Sequence, residues 1–132
     1  MEHAVLVIHC AQAGASALAR MRQLGYRLPT SVRTFEMPCT GRVSEPILME
    51  ALQDGADGIL VVGCRKDACR YLDGNCRAER RAARVQDLLR DAGIGRKTVQ
   101  MHFTAADEGS ALYRAVHGFC EKVALQGQAE EA

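Results

Sequence analysis

The sequence has no tryptophan, three prolines and only 5% aromatic residues. No stretch approaches the ~18 consecutive apolar residues that span a bilayer, so no membrane crossing is predicted. A formal net charge of +1 excludes the strongly basic balance on which general nucleic-acid binding rests. The first residues, MEHAVLVIHC, carry no basic n-region and only a short apolar run. They read as a first strand and not as a signal peptide, and a cytoplasmic protein is the expectation. There is no phosphate-binding glycine loop, no HExxH stretch, no internal repeat and no low-complexity segment. The 132 residues suffice for one well-buried core, not comfortably for two. A single α/β domain over residues 1–125 is expected, with a frayed acidic tail at 126–132.

Against these absences stand six cysteines. In a reducing compartment that number points to a metal or to catalysis more than to structural disulfides. Their placement follows from the elements. Ile59-Leu60-Val61-Val62, bounded by Gly58 and Gly63, is apolar without alternation, the pattern of a parallel strand covered on both faces. Three further strands are predicted: 3–9, ending at Cys10; Val32–Met37, leading to Pro38-Cys39-Thr40-Gly41; and Thr98–Phe103. Helical spacing covers Ala11–Leu24, stopped at Gly25, and a helix opened by Ser44 and Pro46 and stopped at Gly55. Asn75 is placed to cap a third helix, whose apolar positions are Ala78, Ala82, Val85, Leu88 and Leu89 and which ends at Gly93. A last helix is capped by Asp107, with Leu112, Val116, Phe119 and Val123 on one face. Strands alternating with helices predict a small three-layer, flavodoxin-like α/β domain with a four-stranded parallel sheet.

On that topology Cys10, Cys39 and Cys64 fall at the carboxyl ends of three adjacent strands, and Cys69 falls in the loop after the third. Ligands of open α/β sheets sit at this edge. By count, four thiols suit a [2Fe–2S] cluster or a zinc ion equally well. Arg42, Arg65, Lys66 and Arg70 would offset the negative charge of such a centre, and the backbone N–H groups of Thr40, Gly41 and Gly63 could donate to its sulfurs. His9 and His102 end strands nearby and read more readily as satisfied edge histidines than as ligands. Cys76, at a helix start, is weighed as a fifth ligand or a surface thiol, and Cys120, on an apolar helix face, as core. Arg77, Arg80, Arg81 and Arg84 form a row that is either solvated or a docking face for an acidic partner. Asp107 and Glu108 read as helix-start charges, not as an acid–base pair.

The series Cys39-Thr40-Gly41-Arg42-Val43, Gly55-Ala56-Asp57-Gly58, Val62-Gly63-Cys64, Asp67-Ala68-Cys69-Arg70-Tyr71, Gly74-Asn75 and Ala78-Glu79-Arg80-Arg81 resembles the delta subunit of methyl-viologen-reducing hydrogenase, which accompanies heterodisulfide reductases. The resemblance implies one [2Fe–2S] cluster relaying single electrons. The donor would be a hydrogenase or another dehydrogenase, and the acceptor a flavin-containing heterodisulfide-reductase-like partner. Cys39, Cys64 and Cys69 match the family's cysteines directly. Cys10 stands where the family has a Cys-x-x-Cys pair, with Ala13 replacing the second cysteine. Ala68 stands for the usual Asp and Arg70 for the usual His.

Three other readings compete. Cys64-(x5)-Arg70 after a strand is formally the C-x5-R signature of small phosphatases and arsenate reductases. Its loop, however, lacks the glycine that wraps a phosphate, and Asp67 would repel the anion. A structural zinc site would use the same thiols. A Cys64/Cys69 dithiol switch has an unusual C-x4-C spacing.

Overall fold

The computed structural model describes residues 3–65, 74–94 and 96–131, with side chains as far as Gln126. Strands β1 (Val5–Cys10), β2 (Val32–Met37), β3 (Gly58–Cys64) and β4 (Thr98–Thr104) form one parallel sheet in the order β2-β1-β3-β4. Between them run α1 (Ala13–Gln23), a 3-10 turn at Thr40–Arg42, α2 (Glu45–Gln53) and α3 (Gly74–Asp91), and α4 (Gly109–Glu131) follows. This is the doubly wound, flavodoxin-like α/β arrangement, with β1 between β2 and β3 at the point where the strand order reverses.

β3 is buried along its whole length, as an apolar run without alternation requires. Its alternate residues feed two cores. Leu60 and Val62 pack with α1 and α4 through Leu18, Met21, Val116 and Phe119. Ile59 and Val61 pack with α2 and α3 through Leu48, Leu52, Val85 and Leu89. A Cβ at Gly58 would lie 2.5 Å from Val123 Cγ2 and 3.0 Å from the Phe119 ring, so α4 seats directly on the β3 backbone.

The helix boundaries follow local chemistry. Ser44 Oγ accepts the Ile47 N–H at 3.3 Å, capping α2. Gly25 and Gly93, at φ 88° and 76°, take the left-handed conformation that closes α1 and α3. Two expectations are corrected. The last helix begins at Gly109, not beside Asp107, because residues 105–108 close a separate turn through Glu108 N–H to Ala105 O. Leu88 is 47% exposed, and the buried stripe of α3 is Ala78, Ala82, Val85 and Leu89. Leu88 sits about 100° around the helix from Leu89 and misses the sheet. The segment from Gln126 continues α4 to Glu131.

β2 departs from the rule for parallel strands. It pairs with β1, yet Arg33, Thr34, Phe35 and Glu36 are all exposed. Parallel strands are ordinarily covered on both faces.

Candidate metal centre

Cys10 is the last residue of β1 and Cys64 the last of β3. Their Sγ atoms lie 3.8 Å apart, and both residues are buried. That separation is far beyond a disulfide bond. Two thiolates bound at about 2.3 Å to one tetrahedral metal have sulfurs about 3.8 Å apart, so this pair fits a shared metal in distance as well as in chemistry. Cys10 also precedes α1, and Gly14 N–H donates to its sulfur at 3.1 Å. The start of α1 thus turns N–H groups and the positive end of its dipole toward Cys10.

Cys39 lies just beyond β2 on the same edge and is buried. Its Sγ accepts the Gly41 N–H at 3.3 Å, which caps the 3-10 turn. Glycines shape this corner. A Cβ at Gly74 would sit 2.5 Å from Cys39 Sγ, and one at Gly41 would sit 2.8 Å from Gly74 Cα. Only bare backbone allows the turn, the thiol and the start of α3 to meet. A Cβ at Gly63 would likewise meet Met101 Cε at 2.8 Å and Thr40 Oγ1 at 2.9 Å. Thr40 is therefore held against the backbone of β3 one residue before Cys64.

Asn75 locks the other side. Its Nδ2 donates to Cys64 O and Arg65 O, both at 2.7 Å, while its Oδ1 accepts the Cys76 N–H at 2.8 Å. Wholly buried, it lies within α3, not at the cap position expected of it, and ties the end of β3 to that helix. Arg81 Nη1 donates to Gly41 O at 2.6 Å and Val43 O at 3.0 Å, fixing the turn after Cys39. Arg84 pairs with Glu45 at 3.1 Å. Arg81 and Arg84 of the α3 row are thus engaged within the chain, Arg77 approaches Gly41, and Arg80 is exposed.

The remaining candidates separate clearly. Arg65 pairs with Glu108, and Arg42 is exposed. Lys66, Cys69 and Arg70 lie outside the described residues. Cys76 is half-buried in the first turn of α3. Burial, with Glu121 adding to it, pushes the Cys120 thiol up from its ordinary range, as expected of a packing residue. His9 Nδ1 lies 3.3 Å from Cys10 O. His102 is two residues short of the end of β4, opposite Val62. Burial holds its imidazole below the usual histidine range, and its Nε2 is buried without a hydrogen-bond partner among the described residues. Among the described residues no three Cys, His, Asp or Glu side chains are gathered as a metal-binding group. The Cys10–Cys64 pair is the nucleus of the site, with Cys39 on the same edge.

Sequence reasoning misses Gly14 as a donor to Cys10, Gly74 as the seat of Cys39 and Glu108 as the partner of Arg65. The Gly-Asn pair at 74–75 is visible as a motif, but its work at the end of β3 is not.

Fold and site together define a small doubly wound domain with a buried thiol pair, and a third buried cysteine, at the carboxyl edge of its sheet. The chain belongs to the family described as methyl-viologen-reducing hydrogenase, delta subunit, which it matches over residues 5–127. It is 34% identical over 129 residues to the iron-sulfur subunit of the vhu F420-non-reducing hydrogenase of Methanocaldococcus jannaschii, covering 96% of this chain and 95% of that one. The corresponding protein of Methanopyrus kandleri is 36% identical, with 92% of each chain covered. A third relative is a component of the ferredoxin/F(420)H(2)-dependent CoB-CoM heterodisulfide reductase of Methanosarcina acetivorans. It is 33% identical over 74% of this chain, and the match spans 12% of that protein's length. No helix among the described residues is long and apolar enough to cross a membrane.

Proposed function

We propose that the chain is an electron-transfer subunit holding one [2Fe–2S] cluster on Cys10, Cys39, Cys64 and Cys69. It would relay electrons from a hydrogenase or another dehydrogenase to a flavin-containing heterodisulfide-reductase-like partner. The observation that carries this reading is the 3.8 Å separation of Cys10 and Cys64 Sγ, the spacing of two thiolates on one tetrahedral metal. The names of the relatives, iron-sulfur subunits of hydrogenases and a component of a heterodisulfide reductase, support iron and sulfide over a bare metal ion.

A cluster of this type supplies one-electron redox chemistry at a potential set by charge, hydrogen bonding and exposure. The chain's own residues supply the setting. Gly14 and Gly41 N–H groups donate to two of the sulfurs, and such bonds stabilise negative charge there. The burial of Cys10, Cys39 and Cys64 limits water at the site. The Arg65–Glu108 pair leaves little net charge from that arginine.

A zinc ion at the same thiols is the second reading, because the sulfur spacing suits zinc–thiolate bonding equally. Anaerobic reduction separates the two. Uptake of about one electron per chain, with loss of visible absorbance and recovery on adding the heterodisulfide reductase flavoprotein, supports the relay. A colourless protein that takes up no electrons contradicts it.

A further inference from the structure

We propose that β2 is the docking edge of this protein, where it receives an extended, acidic segment of the partner. This rests on the electron-relay reading above. A parallel strand is stable when covered on both faces, but β2 exposes Arg33, Thr34, Phe35 and Glu36 in succession. Phe35 is 58% exposed, near the top of the range for large apolar side chains in this molecule. On the α1 side of the strand, Arg22, Tyr26, Arg27, Thr30, Val32 and Thr34 line a groove of about 620 Å³. It adjoins a smaller one of about 370 Å³ that reaches His9 and Glu36 at the carboxyl end. On the α2 side, Ile47 is 39% exposed. The groove, lined by Val32 and Thr34, and the apolar anchor Phe35 lie on opposite faces of this one strand edge.

Charge selects the occupant. From Ala11 to Ser44 the chain carries five arginines (Arg20, Arg22, Arg27, Arg33 and Arg42) and one acidic residue, Glu36. Two copies of this chain paired through β2 would bring like charges together, which disfavours self-association. An acidic segment would pair with Arg22 and Arg27, set its apolar side against Phe35, and add a strand through main-chain hydrogen bonds. The α3 arginine row is a weaker candidate because Arg81 and Arg84 are already engaged within the chain. Position favours β2 as well. Met37 of β2 is in register with Cys10, so a segment added outside β2 would lie within about 10 Å of the Cys10 backbone. In the Methanosarcina acetivorans relative, the matching stretch is 12% of a longer heterodisulfide reductase chain. There this domain shares one polypeptide with much more protein.

The test measures binding of the intact, cluster-loaded chain to a heterodisulfide reductase flavoprotein. Phe35→Asp and the pair Arg22→Glu with Arg27→Glu should each weaken binding about tenfold or more, with folding and cluster content retained. Arg114→Glu, on exposed α4 surface, should bind as the unsubstituted chain. Amides 32–37 should gain protection from hydrogen exchange in the complex. Unchanged binding by both β2 variants, with loss on Arg80→Glu, would move the interface to α3 and overturn the assignment while leaving the relay intact. Self-association abolished by Phe35→Asp would overturn it in favour of a second copy. Failure of the unsubstituted chain to bind would refute the relay reading itself, and the docking assignment with it.

Discussion

Cys10 Sγ and Cys64 Sγ stand 3.8 Å apart where β1 and β3 reach the carboxyl edge of the sheet. Neither strand achieves this alone. It needs the parallel β1–β3 register, in which His9 lies beside Val62, and the reversal of strand order at β1. In the proposed centre these thiols bind one metal together. Cys10→Ser and Cys64→Ser should each lose most bound iron, whereas Cys120→Ser should leave metal content and spectrum unchanged. Full iron content in the Cys64 variant would remove that residue from the ligand set.

Gly74 offers a test of the cradle that alters no ligand. In a helix, Gly→Ala ordinarily stabilises by up to about 1 kcal/mol. Here the new methyl would lie 2.5 Å from Cys39 Sγ. Gly74→Ala should lower cluster content or speed its loss to a chelator, even where the thermal midpoint barely changes. Faster cluster loss without unfolding is the signature of a displaced thiol.

Asn75 joins β3 to α3 through the carbonyls of Cys64 and Arg65. Asn75→Ala leaves both without that donor, at about 1–3 kcal/mol for a buried group. A loss of at least about 2 kcal/mol is expected in urea unfolding, and it should persist in the metal-free protein. Asn75→Asp should do no better, since its carboxylate cannot donate. A neutral Asn75→Ala would show that these bonds are replaced by solvent.

How much of this is legible in the sequence? The order of elements and the parallel sheet follow from the β3 run, and the α3 stripe from spacing, because burial on one or both faces imposes those patterns directly. The cysteines at three strand ends follow from topology. The contacts that seat them do not. Gly14, Gly41 and Gly74 act through the absence of a Cβ at a close approach, and a glycine in sequence looks the same whether it serves a turn, a cap or a contact. Leu88 misleads because one apolar neighbour of Leu89 suffices to widen an apparent stripe. Glu108 reads as helix charge because its partner, Arg65, is 43 residues away.

His102 makes stability depend on pH. Burial lowers its pKa in the folded protein below 6.5, so the unfolded chain binds the proton more readily. Stability therefore rises with pH between the folded value and about 6.5 and falls as the pH drops through that window. The thermal midpoint should fall more between pH 7.5 and 5.5 for the unsubstituted chain than for His102→Gln. Equal pH dependence in both would assign the effect to other groups.

The central claim is a [2Fe–2S] cluster on the thiols of the sheet edge, and iron with acid-labile sulfide in protein purified without oxygen tests it most directly. The account predicts about two iron and two sulfide per chain, with a rhombic EPR signal on reduction. One zinc per chain without sulfide, or no metal after reconstitution, would contradict it.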